Sequence, residues 1–439
     1  MIKQYIFSFF IIVTLAVFAY TTNRIVRFFL LTKPAFPVRN LASRFKVMVT
    51  VAFGQTRILR KPLMGPLHAL VFWGFCVILL GSVEMIIDGL FGTENSLKFL
   101  GGFYDFMIAS GDIFALVIAI AIIIFLGRRM FLHVKRFEGI EMKAISHIDA
   151  KIALLMILFL MISLQGMNIA YCQIKNLDAG SAAGVYPVSR LFLGLVSTTP
   201  IHVLRFWYEF FWWSHILTIL IFANYLPYSK HFHVFMAVPN VFFSRLDPLG
   251  KLPNMEHVTR EVRLMLDPNS DFTAPAQDAQ PERFGIKDAE DVTWKNYLDS
   301  LACTECGRCT AVCPASLTGK RLSPRKIIMD VRARMKEKGP GMVKNGKTYD
   351  DHRSLIRDFI SEEELWACTT CNACARECPI SINHPILILD MRRYLVMEEG
   401  AVPGLLKATF SNIENNGAPW KYSPEDRLLW AKDLEVKIN

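Results

Sequence analysis

The chain has 439 residues, a formal net charge of +10 and ten cysteines, which leaves room for two or three domains. The charge is uneven: residues 1–245 hold 22 Lys+Arg against 10 Asp+Glu, and the remainder hold 27 against 29. The basic excess flanks apolar runs, which excludes a nucleic-acid reading, and eight cysteines in two tight clusters exclude a disulfide framework and argue for metal ligation in a reducing compartment.

Five apolar segments reach, or nearly reach, the roughly 20 residues that a bilayer core requires. They fall near 4–22, 66–88, 106–126, 148–170 and 204–227. The first carries Lys3 but is followed by "YTTNRIVRFFLL", bulky and basic, with no small-residue cleavage pattern, so it reads as an uncleaved helix. Nine Lys and Arg lie in the 21–65 loop and five in the 127–147 loop, against one in 89–105 and two in 171–203. The excess of positive charge stays inside. This predicts a multi-pass protein of the inner membrane of a bacterium, N-terminus outside and C-terminal half in the cytoplasm.

An ionisable side chain in a span is costly and marks function by default. His68 opens the second span, His215 lies within the fifth, and His231 and His233 follow its inner end. His68 and His233 are expected at similar depth near the inner face, as the two axial nitrogens of a b-type haem require. Glu84, Asp88, Asp112, Arg205 and Glu209 are expected in the outer half, a candidate quinone or proton site, with pairing to Arg205 as the plainer alternative. Gln165 and Asn168 are candidate hydrogen-bonding partners for a quinone carbonyl.

"WWSHILTILIFANYLPYSKHFHVF" resembles the last span of the respiratory nitrate reductase γ subunit and of related membrane cytochrome b subunits linked to heterodisulfide reductase-like proteins. In that family four histidines on the second and last spans bind two haems. His68, His215 and His233 match three of those positions, but the fourth is Ile78, which cannot ligate iron. The resemblance therefore implies an inner haem on His68 and His233 and leaves the outer haem at His215 short of a ligand, with His147 or His202 as replacements. Eighteen residues separate His215 from His233, roughly 27 Å if helical, too far to share one haem.

Residues 244–289 read as a solvated linker without apolar period, and "VPNVFFSRLDPLGKLPN" as a stretch that could lie along the inner membrane surface. Then come Cys303, Cys306, Cys309, Cys313 with Pro314, and Cys368, Cys371, Cys374, Cys378 with Pro379, both C-x2-C-x2-C-x3-C-P. In this pattern three cysteines hold one cluster and the fourth reaches the other. One [4Fe-4S] cluster is thus expected on Cys303, Cys306, Cys309 and Cys378, the other on Cys313, Cys368, Cys371 and Cys374. Zinc sites lack the third cysteine and the closing proline. Between the clusters, "SPRKIIMDVRARMKEKG" predicts a helix capped by Ser323 and ended at Gly339, "SEEELWACTTC" a helix opened by Ser361 and Glu364, and "HPILILDMRRYLVMEEG" one ending at Gly400. Lys320, Arg321, Arg325, Arg392 and Arg393 either offset cluster charge or form a solvated face. Cys76 reads as a packing thiol, and no role is expected of Cys172, near the outer end of the fourth span.

"LACTECGRCTAVCPA" and "WACTTCNACARECPISINHP" resemble the α-helical ferredoxin of the heterodisulfide reductase C subunits and of succinate dehydrogenase iron–sulfur subunits, over about 290–398. The expected architecture is all-α: a transmembrane cytochrome b-like bundle of five spans over 1–243, a linker, a two-[4Fe-4S] ferredoxin domain over 290–400, and a tail over 401–439. The expected work is electron transfer between a menaquinone or ubiquinone pool, haem b, the clusters and a soluble partner. Fused relatives add paired-cysteine CCG motifs, and none occurs here, nor any Gly-rich nucleotide fingerprint. The partner is therefore expected to be a separate CCG-domain iron–sulfur protein or flavoprotein that holds the catalytic site. An ion-translocating redox pump finds no polar path in the third span, and a self-sufficient reductase would need an open iron position that all-cysteine ligation denies.

Overall fold

The structure, a computed structural model, describes residues 1–178, 184–267 and 283–432. Five long helices build the first half: α1 (Ile2–Leu31), α2 (Met64–Phe91), α3 (Gly102–Phe131), α4 (Ala144–Leu177) and α5 (Ile201–Tyr225). Each lies in a segment long and apolar enough to cross a membrane, and each contains most or all of an expected span. Most overrun it. The 30 residues of α1 are about 45 Å long, against a hydrocarbon core of about 30 Å. α4 packs on α3 and α5, α2 on α3, and α1 on α2 and α5.

α5 stops where Pro227 has no N–H to continue the ladder. Two tight turns over 226–232 lead into α6 (His233–Phe242). His215 and His233 therefore do not share one helix, and His233 opens a helix of its own.

The second half is also helical: α7 (Glu256–Leu266), α8 (Trp294–Ala302), α9 (Pro324–Asn345), α10 (His384–Met397) and α11 (Gly404–Asn416), with the cysteine loops between α8 and α10. Ser323 caps α9 by accepting the Lys326 N–H, with Pro324 at the first position. Ser361 and Glu364 form the reciprocal capping box. Two expectations change. α9 does not end at Gly339 but runs through Pro340 to Asn345. At Gly339 a Cβ would stand 2.7 Å from the Phe28 ring of α1, so this glycine is a seat for α1 and not a stop. α7 stands in the stretch read as a solvated linker; residues 268–282 of that linker lie outside the described residues.

The two halves share a core. Ile25 and Phe28 of α1 pack into the same cluster as Val331, Met335, Leu355, Leu387 and Met391. Lys33 exchanges backbone hydrogen bonds with Val292 and Trp294. Arg44, 4 % exposed, donates to the carbonyls of Phe242 and Ser244. The bundle thus has a cluster end, against the cysteine-bearing half, and a far end.

Candidate redox centres

The two cysteine loops repeat one backbone path. Glu305 and Thr370, each two residues after the first cysteine, have φ of 58° and 56°, and Gly307 and Asn372, each just after the second, have φ of 72° and 60°. Left-handed residues at non-glycine positions cost about 1–2 kcal/mol each, which packing must offset. The turns direct amide hydrogens at sulfur: Thr370 N–H to Cys368 Sγ and Ile382 N–H to Cys378 Sγ, both 3.4 Å. Two arginines brace the loops in matching fashion. Arg332 of α9 donates to the carbonyls of Ser300 and Cys303, and Arg392 of α10 to those of Leu365 and Cys368.

The fold crosses the fourth cysteines between loops. Cys378 comes within electrostatic reach of Cys303 and Cys306, and Cys309 of Cys303, Cys306 and Cys378. Cys313 meets Cys368 and Cys374, and Cys368 also meets Cys371. Cys313, Cys368, Cys371 and Cys374 line one small cavity. Cys309 and Cys374 are themselves within reach, so the two sets abut. A four-iron cubane takes its thiolates at separate corners, and two abutting sets of four thiols, each drawn from both loops, fit two such clusters.

The first set faces the bundle. Arg57 donates to the Cys378 carbonyl at 3.0 Å and Arg308 to the Arg57 carbonyl at 3.3 Å. Lys61 pairs with Glu377 at 3.0 Å. Arg325, 1 % exposed, donates to Glu141 and to the carbonyls of Arg136 and Glu138. Gly307 lies under the same strand of chain: its Cβ would stand 2.2 Å from the Arg136 carbonyl oxygen. Buried Glu305 bridges Arg332 and Lys230, and Ser146 donates to it. The second set points away, and Cys371 is the one exposed cysteine among the described residues. Arg392 and Arg325 thus serve carbonyls and a carboxylate. Arg393 pairs with Asp390, while Lys320 is exposed and Arg321 only approaches exposed Glu363. Cys76 and Cys172 are free, half-buried and buried respectively.

His68 lies close to the first set, within electrostatic reach of Arg308, and its Nδ1 is buried without a hydrogen-bond partner. His233 comes within reach of His68. Its Nδ1 is 3.4 Å from the Lys230 carbonyl. That oxygen only accepts, so the ring hydrogen sits on Nδ1 and the lone pair on Nε2, as a metal ligand needs. Burial, with His231 and His68 nearby, holds the His233 imidazole far below the usual range, at about 3. His231 faces Ser229 and Asp149 instead. Two neutral imidazoles at the cluster end fit a bis-histidine haem.

At the far end the bundle encloses a cavity of about 290 Å³. Glu84, Asp88, Asp112 and Glu209 line it, and so do His215 and Ile78; Arg205, His147 and His202 do not. The acids differ in commitment. Asp112 accepts from Val188 N–H, Ser189 N–H, Ser189 Oγ, Gln165 and Asn168. The Gln165 and Asn168 amides thus donate to Asp112, and Gln165 also donates to Ser189 Oγ. Asp88 accepts from Thr93, Asn95 and Ser96 and closes that turn. Glu209 pairs with Lys3 at 2.6 Å, not with Arg205, and ties α1 to α5. Glu84, 6 % exposed, takes the Leu97 N–H at 3.0 Å on one oxygen and has the Tyr104 hydroxyl within hydrogen-bonding reach. Tyr104, Tyr171, Tyr186 and Tyr208 also line the cavity; all but Tyr104 lie on or beside the ends of the last two spans, where sequence gives no register between helices.

Residues 302–382 match the family of the 4Fe-4S dicluster domain. The chain is 31% identical over 420 residues to the probable iron-sulfur-binding oxidoreductase FadF of Bacillus subtilis, covering 88% of this chain and 55% of that protein. It is 28% identical over 422 residues to the EtfAB:quinone oxidoreductase of Syntrophomonas wolfei, covering 90% and 55%. Over 107 residues it is 36% identical to the C subunit of the ferredoxin/F(420)H(2)-dependent CoB-CoM heterodisulfide reductase of Methanosarcina acetivorans, 24% of this chain and 52% of that one. The chain spans about half the length of these relatives. No solved structure matches it. The chain carries a 4Fe-4S dicluster domain and is homologous over that part to heterodisulfide reductase C subunits.

Proposed function

We propose that this chain carries electrons between a membrane quinone pool and a soluble partner, through one b-type haem on His68 and His233 and two [4Fe-4S] clusters. The haem and clusters would supply one-electron carriers; the chain's own residues hold them in order and handle protons. What supports the reading is the company these groups keep: a cavity at the far end of the bundle, His68 and His233 within reach of each other at the cluster end, the first cysteine set braced by the bundle, and Cys371 of the second set exposed. A relative whose name couples EtfAB with quinone supports the quinone end, and the resemblance of the last span to the nitrate reductase γ subunit supports the haem.

In this reading Cys378 and Cys313 tie the two clusters together, since each belongs to one loop and serves the other. Glu84, the least committed acid of the cavity, handles protons, while Asp88, Asp112 and Glu209 with Lys3 shape its walls. The side carrying the basic loops is cytoplasmic, in a bacterial inner membrane, with the N-terminus outside. A partner, a CCG-domain iron–sulfur protein or a flavoprotein, would exchange electrons at the Cys371 face. The test is His233→Ala in the anaerobically purified chain, reduced with dithionite and mixed with menadione. Iron–sulfur content should stay intact while haem is lost and quinone-dependent cluster oxidation slows at least tenfold. Full haem with unchanged oxidation rejects the assignment.

A further inference from the structure

The far-end cavity contains an imidazole that this electron path does not use. His215 is 1 % exposed on α5 and lines the cavity. Its Nδ1 lies 3.0 Å from the Leu160 carbonyl and 3.0 Å from Ser163 Oγ, both on α4. The carbonyl oxygen only accepts, so the ring hydrogen sits on Nδ1 and Nε2 keeps its lone pair. Nε2 is buried and has no hydrogen-bond partner. His215 thus lines the cavity with its Nε2 set in the wall, covered by its neighbours and with its lone pair unpartnered.

A haem is the occupant that the last-span resemblance would place here, and the cavity argues against it. Ile78 stands where the second ligand would come from and lines the same wall. An apolar cavity of about 150 Å³ accommodates a benzene. The cavity here, about 290 Å³, therefore has room for one or two fused rings with their oxygens. Its walls include Met85, Met107, Met167 and Trp212, and Glu84 supplies a buried carboxylate. A flat apolar ring with an oxygen at each end, one facing Nε2, is a quinone.

We propose that His215 is the proton acceptor for a quinol hydroxyl in this cavity, a catalytic residue and not a haem ligand. The assignment rests on the quinone reading above. In the oxidising direction one O–H bond breaks, its proton bonds to Nε2, and the proton of the other hydroxyl passes to Glu84. The ring is left with two carbonyls, and its two electrons would be taken up one at a time by the haem that His68 and His233 would hold and by the clusters the cysteines would hold. Quinone reduction runs the same steps backwards, with His215 giving its proton to the forming hydroxyl. Asp88 and Asp112 take no part, because their oxygens are already filled by the donors named above.

The test uses the full chain, purified anaerobically, with haem and iron counted per polypeptide. Dithionite-reduced chain is mixed with menadione over a range of pH. His215→Gln keeps a hydrogen-bonding side chain but cannot carry a proton. It should slow oxidation by about 10²–10⁴-fold, the usual worth of acid–base catalysis, and flatten the pH profile, with haem content unchanged. Ile78→Trp leaves His215 in place and fills part of the cavity that both residues line; it should raise the menadione concentration needed at least tenfold. A loss of one haem per polypeptide in His215→Gln makes His215 a ligand and overturns the proposal. Unchanged rate and pH profile overturn it too. If the wild-type chain is not oxidised by menadione at all, the quinone reading falls and the role of His215 falls with it.

Discussion

Replacing Arg325 should loosen the cysteine-bearing half from the membrane bundle. Its side chain is 1 % exposed and pairs at 2.7 Å with Glu141, itself 3 % exposed. It also donates to the Arg136 and Glu138 carbonyls at 2.8 and 2.6 Å. Taking away one partner of a buried pair leaves the other charge without compensation, which costs about 3–5 kcal/mol. After Arg325→Met, Glu141 would keep only Ser323 Oγ, at 2.7 Å. For a domain of roughly 150 residues or more, each kcal/mol moves the melting midpoint by about 2–4 °C. The iron–sulfur absorbance of the detergent-solubilised chain should therefore bleach roughly 6–20 °C lower. Glu141→Leu added to Arg325→Met removes the stranded charge and should recover at least half of that shift, because an apolar pair of similar volume is often neutral in place of an ion pair. A shift of about 2 °C or less in the single variant refutes the reasoning. So does a double variant no more stable than the single one.

Further outcomes follow from the cysteine loops. Cys378→Ser should alter the paramagnetic resonance signal of the cluster on Cys303, Cys306 and Cys309 and leave that of Cys368, Cys371 and Cys374; the opposite pattern rejects the crossed arrangement. Gly307→Ala places a Cβ 2.2 Å from a backbone oxygen at a φ of 72°. It should lower the bleaching midpoint by at least 5 °C and perturb the first cluster; a midpoint within 2 °C of wild type shows that the Arg136 chain yields. Gly339→Val would drive a branched side chain into the Phe28 ring, 2.7 Å from the position of the Cβ. Overpacking costs about 1–3 kcal/mol, and protease cleavage between the halves should speed up correspondingly; equal cleavage rates would show that α1 can move aside.

The cysteine spacing and the five spans are legible in the sequence because both are local: ligand spacing lies within a dozen residues, and a span announces itself by its run of apolar side chains. What is not legible is pairwise and distant. Arg57, Lys61 and the 136–141 segment read as loop charge that fixes orientation, yet they bind the Cys378 carbonyl, Glu377 and Arg325. Nothing near them in sequence marks those partners. Gly339-Pro340 reads as a helix stop, and only the Phe28 ring arriving from α1 explains a glycine inside α9. The outer acids look equivalent as residues in spans; their hydrogen bonds separate Asp112, saturated by five donors, from Glu84. Ser163 passes in the sequence for a small polar residue in an apolar run, although it and the Leu160 carbonyl set the His215 tautomer.

The measurement that bears most directly on the proposed path is a stopped-flow oxidation of the dithionite-reduced chain by menadione, read at haem b and iron–sulfur wavelengths, with haem counted per polypeptide. The path through one haem predicts close to one haem b per chain, oxidised first, with the clusters following at a rate that depends on the haem. Clusters oxidised by menadione at full rate in a chain without haem, or ahead of the haem in a chain that has it, would contradict that path.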